Sequence, residues 1–132
     1  MRKEILAARI YTIVSVSVIA FQIALALGAP WGAYAMGGAF AGQFPPELRF
    51  AAIVQAVILA GLASVVLARA GITLPTWSRM SFWLIWAVVA FSALSLVLNI
   101  ITPSAGERAI WAPVAFIMLV SSVIVAVSKP VE

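Results

Sequence analysis

The stretch LRFAAIVQAVILAGLASVVLARA, residues 48–70, decides the fold. Between Arg49 and Arg69 it runs for nineteen residues without a charge. About 20 residues at 1.5 Å rise cross a hydrocarbon layer of ~30 Å, so a run of this length reads as a spanning helix. Three more runs of this kind flank it, at about 6–28, 80–101 and 109–128. An unpaired backbone amide is costly in lipid, which requires each run to be helical.

Composition points the same way. The 132 residues are 65% hydrophobic and only 9% charged, with a mean hydropathy of +1.18. A soluble domain carries about a quarter of its residues as charges to cover its surface, and this chain falls far short of that. The expected fold is therefore all-α: a single polytopic membrane domain over 1–132, four helices running up-down-up-down. The sequence has no Cys, His or Asp. That excludes disulfides, thiolate nucleophiles, imidazole bases and the common zinc and haem ligands, so no cofactor and no metal site is expected.

The net charge of +4 does not point to nucleic acid, because the basic residues sit at helix ends rather than in a stripe. Arg2, Lys3, Arg9, Arg69, Arg79 and Lys129 fall on one side, Arg49 and Arg108 on the other. The positive-inside rule then places both termini in the cytoplasm and the 29–46 and 102–108 segments outside. Trp77 and Trp83 suit the inner interface, and Trp31 and Trp111 the outer one. The basic start and Ala24-Leu25-Ala26 resemble a cleavable leader, but an apolar run of about 20 residues exceeds the 7–15 of a signal core, so the segment is expected to stay as the first span.

In lipid, helices approach closely at small residues. Ala52, Ala56, Ala60, Ser64 and Ala68 form an i+4 row on the second span, and Ala20, Ala24, Gly28 and Gly32 a similar row on the first. These two rows are expected to face one another. Ser104 and Glu107 have the spacing of a capping box for the fourth span. Pro46 suits the first turn of the second. Pro113, inside the fourth, should kink it and free the carbonyl of Ala109.

Few polar side chains lie within the spans. Gln22, Gln55 and Asn99 all fall within roughly 3–12 Å of the outer boundary at 1.5 Å per residue. Just above them lie Glu47, Arg49, Glu107 and Arg108, readable either as exposed ion pairs and caps or as a polar vestibule. The 29–46 loop carries Trp31, Tyr34, Met36, Phe40 and Phe44 and is too apolar to float in water. It is expected to fold back as a lid over the amides.

The segments LALGAPWGAYAMGG (25–38), FPPELR (44–49) and Asn99 followed by TPSAGERAIWAP (102–113) resemble a group of small, uncharacterised bacterial four-helix membrane proteins. The resemblance spans nearly the whole chain. It implies a bacterial inner-membrane protein with four helices and carries no activity with it.

Catalysis is the least supported class, since no nucleophile accompanies Glu47 or Glu107. Two readings remain. One is a protein that binds or transports a small lipophilic or amphiphilic molecule under the loop, at Gln22, Trp31, Gln55, Asn99, Glu107, Arg108 and Trp111. The other is a structural or accessory subunit, with a homo-oligomer or a larger membrane complex as partner. The first calls for a closed outward cavity; the second, for a solid bundle with an exposed face of small residues. Membrane lipids are partners in both.

Overall fold

The computed structural model describes residues 2–129. Four helices account for most of them: α1 Lys3–Ala26, α2 Pro46–Arg69, α3 Ser78–Ile101 and α4 Ala105–Val127. All four are long and apolar enough to cross a membrane. Single 3-10 turns lie at Gly32–Tyr34 and Met36–Gly38, in the α1–α2 loop, and at Pro75–Trp77 before α3. Each helix is antiparallel to the next, and the four form a square in chain order. The α1–α2 and α3–α4 seams are closest, α1–α4 is next, and α2–α3 is the loosest.

The buried stripe on each helix advances by alternating steps of four and three. On α1 it runs Glu4, Ala8, Tyr11, Ser15; on α2 Ala52, Ala56, Leu59, Ala63, Val66; on α3 Ser81, Ile85, Val88, Ser92; on α4 Ala115, Met118, Ser122, Val125. Such a mean spacing of 3.5 keeps a seam facing its neighbours in a left-handed bundle. Tyr11, Val66, Ile85, Val88 and Val125 are fully enclosed at its centre.

This spacing corrects the packing rows expected from the sequence. Four residues advance a helix by about 400°, so an i+4 row drifts about 40° per step away from a fixed partner. Ala52, Ala56 and, at the far end of the helix, Ala68 are buried, but Ala60 has rotated out to the exposed side and Ser64 is only half-buried. On α1, Ala20 is exposed for the same reason, while Ala7 and Ala8 are buried in the core. The antiparallel α1–α2 pair forms as expected; Ala52 of the expected row packs with Phe21, Leu25 and Ala26 of α1, while Ala20 and Ala60 are exposed.

The helix ends follow local chemistry. Pro46 occupies the first turn of α2, where its missing N–H costs nothing. α4 continues unbroken through Pro113, which lies on its exposed side. Arg69, expected as a boundary charge, is buried at the far end of α2. Its Nη2 donates to the carbonyls of Ser128 (2.6 Å) and Ala126 (3.4 Å), groups that the end of α4 leaves without helical partners. Its guanidinium carbon also lies 5.3 Å from the centre of the Phe82 ring.

Candidate functional site

The end of the bundle nearest the α1–α2 loop is capped, and the cap is built from α4 upward. Ser104 is the N-cap of α4: its Oγ accepts from the backbone N–H of Glu107 (3.1 Å). The same hydroxyl donates to the carbonyl of Ala33 in the loop, at 2.7 Å. A full capping box would return the Glu107 carboxylate to the Ser104 amide. Here Thr102 Oγ1 takes that amide (3.2 Å), and Glu107 Oε2 accepts from the backbone N–H of Gly37 at 2.9 Å. Half of the expected box is thus diverted into holding the loop.

Two further contacts complete the attachment. Trp111 Nε1 donates to the carbonyl of Tyr34 (2.9 Å), and Phe44 is buried against Leu25, Ala35 and Ala52. Presenting the Gly37 amide to Glu107 takes consecutive left-handed residues, Met36 at φ 51°, Gly37 at φ 71° and Gly38 at φ 75°. A side chain pays a penalty in that region, which glycine avoids at the second and third positions. Met36 bears it, in a backbone fixed on both sides. Gly32 is required for space instead: a Cβ there would lie 1.8 Å from the Phe40 carbonyl oxygen.

Beneath this lid is a cavity of about 510 Å³, within the 300–1,000 Å³ usual for small-molecule sites. It draws walls from all four helices and the loop. Of the residues singled out in the sequence, Gln22, Gln55, Asn99, Glu107 and Trp111 line it. Gln22 Nε2 donates to Gln55 Oε1 at 2.7 Å, joining α1 to α2, whereas Asn99 Nδ2 bonds within its own helix, to the Ser95 carbonyl at 2.7 Å. Gln55, Leu98 and Ile101 are exposed as well as lining it. Tyr34, Met36 and Pro103, at the loop end, are exposed lining residues too, so the cavity is not closed.

Two expected site residues lie elsewhere. Trp31 is outside the lining and stacks on Phe21 (6.2 Å between ring centres, 7° between planes). Phe21 in turn meets Trp111 at 4.6 Å, so Trp31 supports the wall from one ring away. Arg108 is exposed and donates to the Thr102 carbonyl at 3.0 Å. Nor are there ion pairs at this end: Arg49 Nε donates to the Phe44 carbonyl (2.7 Å), and among the described residues the one ion pair is Arg2–Glu4 at the other end. Glu107 is buried rather than displayed on the surface.

The sequence reading missed Phe91, Ser92, Ser95 and Met118 as lining residues. The four-three spacing of the α3 stripe, extended from Val88 through Ser92 and Ser95 to Asn99, was the signal that they share one face. No family model, curated protein or solved structure matches the chain.

Proposed function

We propose that this chain is a non-enzymatic protein of a bacterial inner membrane, with both termini cytoplasmic, that binds or transports a small lipophilic or amphiphilic molecule under its outward loop. The observation that carries this reading is the 510 Å³ cavity, lined mainly by apolar and aromatic side chains with a few polar groups among them. Bundles packed only for stability fill their seams, since unfilled space forfeits dispersion contacts. The segments carrying the family resemblance also converge here: Gly32, Phe44, Ser104, Glu107 and Trp111 all build the lid or its anchor.

Native mass spectrometry of protein released gently from its membrane tests this. A retained small molecule is expected on the wild type and not on Ala115→Phe, whose side chain would fill the cavity from the α4 wall. A bare wild-type mass, or equal retention by both proteins, would contradict the reading. The accessory-subunit reading draws on one feature, the exposed Ala60 and Gly61 on the outer face of α2, and predicts a co-purifying protein instead.

A further inference from the structure

The charge inventory of the cavity points to a ligand class. Glu107 is the one charged residue in the lining, and it is 7% exposed. The two arginines at this end of the bundle each donate to a backbone carbonyl, Arg108 to Thr102 and Arg49 to Phe44. Oε2 has one bond, from the Gly37 amide, and the carboxylate has no ion-pair partner among the described residues. The first turn of α4 and that amide favour negative charge here. A buried carboxylate is nonetheless costly until a counter-charge pairs with it.

The surroundings suit a cation rather than a second anion or a neutral lipid. Asn99 spends its Nδ2 on the Ser95 carbonyl, which leaves Oδ1 as an acceptor in the same cavity. Tyr34, Phe44 and Trp111 line the loop end, and the face of such a ring attracts a cation through its quadrupole. Below Glu107 the α4 wall is apolar, through Val114, Ala115 and Met118, and faces Ser95 and Ser92 of α3 and Gln55 of α2. Eleven residues separate Glu107 from Met118, or about 16 Å along α4. The cavity thus has a charged, acceptor-rich head and, along α4, an apolar wall below it.

We infer that the molecule bound beneath the loop is an amphiphilic organic cation, its head against Glu107 and its apolar tail directed along the α4 wall toward Met118. This rests on the proposed binding function and narrows it. Anions meet like charge at the head of the site, and neutral amphiphiles leave the carboxylate unpaired, so discrimination arises from both attraction and exclusion.

The test uses the full chain in nanodiscs of zwitterionic phosphatidylcholine at neutral pH, with three probes of one tail length: dodecylamine, dodecanol and dodecanoate. An alkylamine is protonated there, since amines of the lysine type titrate near ~10.4. Thermal unfolding is followed against probe concentration. Dodecylamine is expected to stabilise the wild type at concentrations about tenfold lower than dodecanol, a difference of about 1.4 kcal/mol. Glu107→Gln keeps an oxygen for the Gly37 amide and is expected to erase that gap. Equal stabilisation by dodecylamine and dodecanol, or preference for dodecanoate, would overturn the cation assignment and leave the binding function standing. A preference for the amine that survives Glu107→Gln would also overturn it. Stabilisation by none of the three would overturn both. The comparison of probes on the wild type decides the matter even if the variant does not fold.

Discussion

Gly32→Ala should detach the lid while leaving the bundle standing. The added Cβ would fall 1.8 Å from the Phe40 carbonyl oxygen and 2.8 Å from that of Gly42, both backbone atoms that cannot swing aside. It would also break the Gly32 N–H to Gly42 bond, 2.9 Å in the native loop. Three hydrogen bonds hold the lid to α4: Gly37 to Glu107, Ser104 to Ala33 and Trp111 to Tyr34. At about 0.5–1.5 kcal/mol each, they make docking worth about 1.5–4.5 kcal/mol. Because 1.4 kcal/mol is a factor of ten, that range corresponds to about ten- to two-thousand-fold slowing of amide exchange in the loop. Hydrogen exchange read by mass spectrometry, on the chain in nanodiscs, is the direct assay. Gly32→Ala is expected to remove the protection of residues 32–38 and to leave the middle of α2 and α3 unchanged. Unchanged protection at Gly37, or loss spread evenly through the helices, would refute the picture of a lid docked as a separate unit.

Other outcomes follow from the same geometry. Ala8→Leu, in the buried core, should cost about 1–3 kcal/mol by overpacking. Ala60→Leu, on the exposed face, should stay within about 0.5 kcal/mol in detergent unfolding. Gln55→Leu should lower stability by about 0.6 kcal/mol or less, as expected for one interhelical amide bond. Cysteines introduced singly at Ala39 and Ala105, both exposed at the loop end, should react with an impermeant thiol reagent in intact cells; labelling only after lysis would reverse the proposed orientation.

The spans were legible because lipid imposes a length and a charge limit that a sequence displays directly. Their inward faces were not. In a lipid-facing bundle the outside is as apolar as the inside, so hydrophobicity carries no face signal, and a row of small residues such as Ala52 to Ala68 looks equally good in several registers. Small and polar residues at four-three spacing were the better guide: Ala8, Tyr11 and Ser15 on α1, or Ser92, Ser95 and Asn99 on α3, mark the seam that Ala60 leaves. The loop's lid-like character was readable from its aromatics, and its position over Gln22 and Asn99 from their shared depth. Its attachment was not, because a Ser-x-x-Glu pattern signals a helix cap whether the glutamate returns to the cap or holds another segment. Glu107 looked like a surface charge beside Arg108 for that reason. Only the folded loop brings the Gly37 amide to it.

Occupancy of the cavity can be read most directly through Trp111, the one tryptophan in its wall. In a variant with Trp31, Trp77, Trp83 and Trp86 replaced by phenylalanine, a brominated dodecylamine would report contact with that ring by quenching its fluorescence. A molecule seated beneath the loop must give quenching that saturates, is displaced by unbrominated dodecylamine, and disappears when Ala115→Phe fills the space. Quenching that rises in proportion to probe in the bilayer, without saturation or competition and unchanged by Ala115→Phe, would mean that Trp111 meets only lipid and that the cavity holds no ligand.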